Sequence, residues 1–257
     1  MKYALLLLII INSFHTGYIN AEEATDAYYD KEEMEASRQL LKRHHGGSTT
    51  LFIIADRLEY KSNEGDALIV WDGQGWFGTD LNKFWVKTEG EYDTDNNIFE
   101  EAEIQALYSR AISSFWDVQA GIRYDIKPNP TRSFAVFGIQ GLAPYWFEID
   151  AAGFISDEGN FSARLEAEYE LLITQRLILQ PRLEFNLAIQ DDTEIEVGSG
   201  LNTIEAGLRL RYEFKREFAP YVGMSWSKAF SNTADLIEAN GDKTEQLSFV
   251  AGIRLWF

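Results

Sequence analysis

The nine residues FVAGIRLWF, 249–257, decide how this chain is read. Apolar or small residues fall at every second position: Phe249, Ala251, Ile253, Leu255 and Phe257. Period two is the pattern of a strand with one apolar face. This strand ends on an aromatic, with no capping loop and no charged tail. Such an ending suits a last strand that closes against the first, because a closed sheet leaves no edge to protect.

The same alternation returns upstream. KFWVKTEGEY (83–92) sets Phe84, Val86, Thr88, Gly90 and Tyr92 against Lys83, Trp85, Lys87, Glu89 and Glu91. FSARLEAEYEL (161–171) sets Phe161, Ala163, Leu165, Ala167, Tyr169 and Leu171 against Ser162, Arg164, Glu166, Glu168 and Glu170. LQPRLEFNLAIQ (179–190) and IEAGLRLRYEF (204–214) repeat it, with Arg182, Glu184 and Asn186, then Glu205, Arg209, Arg211 and Glu213, on the polar side. A soluble antiparallel sheet alternates too. These strands, however, are about ten residues or longer, the length a tilted membrane strand needs. Their polar faces mix acids and bases, which suits a closed lumen where opposite charges pair across the ladder. Lipid accepts strands only in a closed barrel, since no backbone donor can be left unpaired there. The expectation is an all-β fold: a transmembrane antiparallel up-and-down β-barrel of about twelve strands between residues 50 and 257.

The joints alternate in length. GTDLN (78–82), ISSF (112–115), GLAP (141–144), ITQR (173–176) and FKRE (214–217) are short. KSNEGD (61–66), DTDNNIFE (93–100), KPNPT (127–131), SDEGN (156–160), DDTEIEVGSG (191–200) and SNTADLIEANGDK (231–243) are polar, mostly acidic and in part longer. Short turns on one side and longer loops on the other are the outer-membrane pattern. Trp76, Phe77, Phe115, Trp116, Tyr145, Trp146, Phe218 and Tyr221 sit beside the short joints and read as one interfacial girdle.

Ahead of the barrel, Lys2, the apolar run ALLLLIII (4–11) and Ala21 read as a cleaved signal peptide, 1–21. The apolar run is too short to span a bilayer. Residues 22–49 read as a periplasmic tail, acidic, then basic, then Gly-rich, with a short helix over Met34–Arg43. The chain of 257 residues carries a net charge of −18, and loss of the signal removes one lysine and no acid. So acidic a protein is a poor binder of nucleic acid and an attractor of cations. Cysteine is absent, which excludes disulfides, thiolate metal sites and thiol nucleophiles.

Histidine limits the chemistry further. The three are His15 in the signal and His44 and His45 in the tail, so the barrel has no imidazole base and no Ser–His or Asp–His catalysis. Carboxylate-only chemistry at Glu166, Glu168 and Glu184 competes with simple pairing of those acids to Arg164 and Arg182, which is the better reading; no enzyme activity is expected. RHHGG (43–47) places two imidazoles side by side, a pair able to hold Cu(II) or Ni(II) with help from backbone nitrogen. DTDNNIFE half-matches a calcium loop but lacks its turn glycine, so an Asx-rich hairpin loop is expected. Met224 shares the lipid-side face with Val222 and Trp226, where it packs rather than ligates.

Five stretches carry a family resemblance: EGDALIVWDGQGWFGTDLNKFWVKTEGE (64–91), EEAEIQALYSRAISSFWDVQAGIRYD (100–125), FGIQGLAPYWFEIDAAGFIS (137–156), ARLEAEYELLITQRLILQPRLEFNL (163–187) and GSGLNTIEAGLRLRYEFKREFAPYVG (198–223). Across nearly all of 50–257 the chain resembles the copper resistance protein B family. The resemblance implies a bacterial outer-membrane barrel, in contact with outer-membrane lipid, that binds copper ions or passes them across that membrane, beside a periplasmic multicopper oxidase. It departs from the family in one respect. Members often carry a Met- and His-rich segment before the barrel, whereas residues 22–49 hold only Met34, His44 and His45. High-capacity sequestration by the tail is therefore not expected. The candidate metal contacts are His44 and His45 in the tail and lumen carboxylates, chiefly Glu89, Glu91, Glu148, Asp150, Glu166 and Glu168, with Glu184 and Glu205 beside them. The competing reading is a general narrow cation pore, or a structural outer-membrane barrel, without copper specificity.

Overall fold

The computed structural model describes residues 28–45, 48–63 and 66–257. The expected signal segment, 1–21, lies outside them. Over the described residues the chain forms twelve antiparallel strands. They are β1 (Thr50–Asn63), β2 (Asp66–Gly78), β3 (Asn82–Asp93), β4 (Ile98–Ala111), β5 (Trp116–Lys127) and β6 (Arg132–Ala143). Then come β7 (Phe147–Ser156), β8 (Phe161–Glu168, resuming at Leu171–Leu172), β9 (Leu177–Ala188), β10 (Gly200–Tyr212), β11 (Phe218–Ala229) and β12 (Glu245–Trp256). Each strand pairs with the next, and β12 pairs back onto β1, with Ile54 opposite Trp256 and Ser62 opposite Phe249. Phe257 exchanges two backbone hydrogen bonds with Ile53, at 2.8 and 3.1 Å. The sheet thus closes with FVAGIRLWF as its last strand.

The period-two pattern sorts side chains as expected. Leu51, Tyr60, Phe84, Ile104, Ile122, Phe137, Leu165, Leu208, Val222, Met224 and Phe249 stand exposed on the outer face. Such an apolar belt is stable only against lipid. The inward face buries Arg57, Glu59, Lys61, Glu103, Asp125, Arg182, Glu184, Arg209 and Arg211. An apolar cluster, Trp85, Leu107, Val136 and Phe154, fills the lumen along β3, β4, β6 and β7, with Trp76 and Phe134 packed on it.

β8 is interrupted for a local reason. Tyr169 N–H donates to the Pro181 carbonyl on β9 at 3.2 Å, but Pro181 has no N–H to return. The ladder lapses over Tyr169 and Glu170 and resumes where Leu171 faces Leu179.

The joints alternate as the sequence implies. One end carries tight connections at 79–81, 112–115, 144–146, 173–176 and 213–217. The other carries 94–97, 128–131, 157–160, 189–199 and 230–244. The Asx-rich reading of 93–97 holds: Asp93 Oδ1 accepts from the backbone N–H of Asp95 at 2.7 Å and of Asn96 at 2.9 Å.

Four expectations are corrected. The polar stretch 231–243 is not all loop. Ser231–Asn240 is a helix, α2, closed by Gly241 in the left-handed conformation, with Gly241 N–H donating to Glu238 O. The helix expected over Met34–Arg43 is longer, α1 (Lys31–His45); Asp30 Oδ1 accepts from Glu32 N–H at 2.9 Å, and Glu32 and Glu33 occupy the favourable first turn. Finally, Trp76 and Tyr221 leave the girdle. Both lie on inward faces, Trp76 stacked with Phe52 and Trp85, and Tyr221 buried with its hydroxyl on Glu59.

Candidate functional site

The lumen chemistry begins with one extra residue in β1. Ala55 faces Gly73 on β2 while Arg57 faces Asp72, so Asp56 is a bulge. A bulge shifts the alternation by one. Ile54 points inward before it; Arg57, Glu59 and Lys61 point inward after it, and Leu58 and Tyr60 turn to lipid.

Strand register then lines up carboxylates. Asp72 faces Glu89, Glu89 faces Glu103, and Glu91 faces Glu101. On the opposite wall Asp150 faces Glu166, Glu166 faces Glu184, and Glu184 faces Glu205. One level nearer the tight turns, Glu148 faces Glu168, which faces Arg182. Like charges directly opposite one another repel, so pairing along the ladder does not balance this lumen. Arginines that reach diagonally or across the bore do so.

Arg57 donates from Nη2 to Glu89 at 2.8 Å and lies 3.5 Å from Glu205. Arg164, on β8, reaches over to Glu89 at 2.8 Å and Glu103 at 3.0 Å, and stands 3.7 Å from Glu184. Arg182 binds Glu184, Glu166 at 2.6 Å and Glu205 at 3.1 Å. Arginine and glutamate therefore alternate in a closed circuit: Arg57, Glu89, Arg164, Glu184, Arg182, Glu205 and back to Arg57. Planar guanidinium suits this role, since several donors leave it in fixed directions.

The circuit divides the lumen. Toward the longer loops lies a vestibule of about 490 Å³. Toward the tight turns lies a cavity of about 70 Å³, lined by Asp72, Lys87, Asp150 and Glu166. The two share Glu89, Glu103, Arg164 and Phe154 as their common wall. Nine carboxylates and five cationic side chains line the vestibule, so its field favours cations.

Loop 189–199 and α2 border the vestibule through Ile195, Val197, Thr233 and Ile237. Gly198 N–H donates to Thr233 Oγ1 at 2.9 Å, and Asn240 Nδ2 to Glu196 at 2.5 Å. Arg132 at the start of β6 binds Glu158 at 2.7 Å and Glu194 at 2.9 Å, tying the loop to the facing rim. Asp191 accepts from Ser199 N–H at 2.6 Å and from Asn232 Nδ2 at 3.1 Å. Those bonds, the Ser199 amide first, hold its pKa below the ordinary aspartate value.

Of the residues singled out from sequence, Glu89, Glu91, Glu148, Asp150, Glu166 and Glu168 all stand on inward faces. Glu89 touches Arg57 and Arg164, Glu91 touches Lys61 at 3.1 Å, and Asp150 touches Lys87. Glu166 and Glu168 both bind Arg182, Glu168 also accepting from Gln180 at 2.8 Å. Glu148 is exposed near the tight turns. The pairing of Glu166, Glu168 and Glu184 with arginine is thus the observed one. His44 and His45 fall in the last turn of α1, and their side chains lie outside the described residues. Sequence reading missed Asp72, Glu101, Glu103 and Arg57. The alternation of EEAEIQ (100–105) could have given Glu101 and Glu103; Arg57 is hidden by the bulge.

Copper would be cargo of such a lumen, and the donor set is hard. The described lumen offers carboxylate oxygens without imidazole or thioether, and no group of three His, Cys, Asp or Glu side chains in metal-holding geometry occurs among the described residues. Carboxylates hold Cu(II) weakly and Cu(I) poorly.

A closed twelve-stranded barrel with an apolar outer belt, tight turns at one end, longer loops at the other and a charged lumen is an outer-membrane β-barrel. The NanC porin superposes with a TM-score of 0.53 over 80% of this chain and 99% of its own, at 14% identity, a likeness of fold alone. Residues 49–257 match the family described as Copper resistance protein B precursor (CopB). The Copper resistance protein B homolog of Pseudomonas syringae pv. tomato is 45% identical over 214 residues, 83% of this chain and 72% of that protein. Copper resistance protein B of Escherichia coli is 42% identical over 213 residues, 83% and 71% respectively. The chain belongs to the copper resistance protein B family. Membership places it in the outer membrane, its belt against lipid, with a part in copper resistance.

Proposed function

We propose that this barrel serves copper resistance by drawing copper cations into the vestibule and binding or passing them along the lumen carboxylates. The observation that carries the reading is the excess of carboxylates over cations at the vestibule, arranged in facing rows on opposite walls. Glu89, Glu91, Glu148, Asp150, Glu166 and Glu168 would supply oxygen contacts that are weak and exchangeable, as transit requires. His44 and His45, with neighbouring backbone nitrogen, would capture Cu(II) in the tail. No catalytic step is assigned, and a periplasmic multicopper oxidase is the partner this reading expects.

One observation favours a second reading, a narrow cation pore without copper specificity: the described lumen has no soft donor, and Met224 lies on the lipid face. Copper titration of the folded, detergent-solubilised protein separates the two, with zinc as control metal. Copper-preferring binding that weakens in Glu91→Gln/Glu101→Gln or in His44→Ala/His45→Ala supports the copper reading. Equal, weak binding of both metals, with copper tolerance unchanged in a deletion strain, supports the pore.

A further inference from the structure

The alternating circuit stands between the two cavities, and one member spans them. The side chains of Arg182 and Arg57 are 2% and 7% exposed, whereas that of Arg164 is 20% exposed. Arg57 is anchored by Asp72 on β2, Glu89 on β3 and Glu205 on β10, and Arg182 by Glu166 and Glu168 on β8, Glu184 on its own strand and Glu205 on β10. Arg164 leaves β8 and makes its two short contacts on β3 and β4, across the bore. Its guanidinium also lies 5.9 Å from the Phe154 ring centre, against the other side of the partition. It is the one arginine that lines both cavities. Without its side chain beyond Cβ, the wall between the vestibule and the inner cavity reduces to Glu89, Glu103 and Phe154.

We propose that Arg164 is the gate of the lumen: a tethered cation seated on Glu89 and Glu103, which a hydrated divalent cation entering the vestibule must displace to pass. The displacement is an exchange of one positive partner for another, so it leaves no carboxylate unpaired in the low-dielectric interior. Freed from Glu89 and Glu103, the guanidinium keeps Glu184 at 3.7 Å and Asn186 Oδ1 at 3.3 Å as partners on its own side of the bore. The closed and open positions are thus both supplied with partners. This proposal rests on the reading that cations enter the vestibule.

The test is conductance of the whole protein in planar bilayers, with folding checked by heat-modifiable gel mobility and tryptophan emission. In potassium chloride the wild type conducts little, Arg164→Ala conducts several-fold more, and Arg164→Lys stays near the wild type. Arg164→Gln keeps chain length and a donor, and serves if the alanine variant does not fold; it too conducts more. Arg123→Ala removes another guanidinium from Glu103, 2.7 Å away, but not from the wall of the inner cavity, and raises conductance less. Equal rises in Arg123→Ala and Arg164→Ala would mean that net charge, not the span of Arg164, sets the current, and would overturn the proposal; so would Arg164→Ala at the wild-type level. Copper(II) added on the vestibule side raises the wild-type current, and a wild type indifferent to it refutes displacement. Should the Arg164 variants open the lumen while copper tolerance stays independent of the protein, the gate stands and the copper reading falls.

Discussion

Arg209→Ala gives the sharpest test of how the closing seam is held. Arg209 on β10 binds Glu59 on β1 through two hydrogen bonds, Nε at 2.8 Å and Nη2 at 2.7 Å. Their side chains are 4% and 1% exposed. Tyr221 on β11 adds a third bond, its hydroxyl donating to Glu59 Oε2 at 3.0 Å. The pair therefore reaches from β1 over β12 to the two strands beyond. Removing one partner of a buried ion pair costs about 3–5 kcal/mol, because the survivor stays desolvated and uncompensated. Tyr221 remains as a donor to Glu59, so the lower end, about 3 kcal/mol, is expected. Against a guanidinium chloride slope of about 4 kcal/mol per molar, that lowers the unfolding midpoint by roughly 0.7 M. The assay is equilibrium unfolding of the barrel in lipid vesicles, followed by tryptophan emission. Lys228→Ala, which breaks an exposed pair with Glu245 at 2.8 Å, is the reference and shifts the midpoint far less. Equal shifts in the two variants would refute the idea that this buried pair holds the seam. Replacing both partners, Glu59→Met/Arg209→Met, recovers much of the loss, since apolar side chains leave no charge behind.

Three further outcomes follow from the same geometry. A Cβ on Gly252 would come within 2.6 Å of the Tyr221 hydroxyl and 2.7 Å of Leu58 O, so Gly252→Ala destabilises by about 1–3 kcal/mol in the same unfolding assay; a stability equal to the wild type would show that the seam relaxes freely. Arg132→Ala removes the ion pairs that hold loop 189–199 to the facing rim and speeds its cleavage by an added protease several-fold, while an unchanged rate would show that α2, Asn160 and the Phe161 amide suffice to hold it. Asp191 binds Ser199 N–H in its charged form, so this contribution is complete above the ordinary aspartate range and fades only as pH falls through the lowered pKa; the Ser199 amide chemical shift should titrate below a model aspartate, and a midpoint at or above that value would contradict the bond.

Where a strand keeps strict alternation, sequence alone placed its side chains. Residues 83–92, 161–171, 179–190 and 204–214 point inward and outward as their period dictates, and the lumen carboxylates follow from that. Four kinds of feature escaped. The Asp56 bulge slips the period inside β1, so Arg57 and Glu59 carry no local sign of facing the lumen. The carboxylate rows depend on register between strands, which alternation within one strand does not encode; mixed charge on neighbouring strands suggested ladder pairs, and Arg57–Asp72 and Arg182–Glu168 are such pairs, whereas Arg164 binds across the bore. Trp76 and Tyr221 sit near strand ends, where an aromatic serves equally in a lipid girdle or a lumen wall, and only the parity of their strands separates the two. α2 was masked by a polar composition that a short surface helix shares with a loop.

The gap in β8 has a mechanical consequence. Over Tyr169 and Glu170 the wall lacks the return hydrogen bond that Pro181 cannot give, and side chains hold the two edges instead. Glu170 bridges Arg211 at 2.6 Å and Arg254 at 3.0 Å, and the Tyr169 ring stacks 4.9 Å from Phe147. Elsewhere in a barrel the load between strands is shared by a row of identical bonds, and strain at one point is spread along it. Here the row is broken, so shear between β8 and β9 falls on Gln180, which binds Glu168 directly at 2.8 Å and Glu170 through Arg211, itself 2.7 Å from Gln180. Any event that takes the Glu170 charge, whether a proton or a captured ion, is therefore coupled directly to the stiffness of the rim that carries the tight turns, and the amides of 169–172 should be the first of the wall to exchange with solvent deuterium.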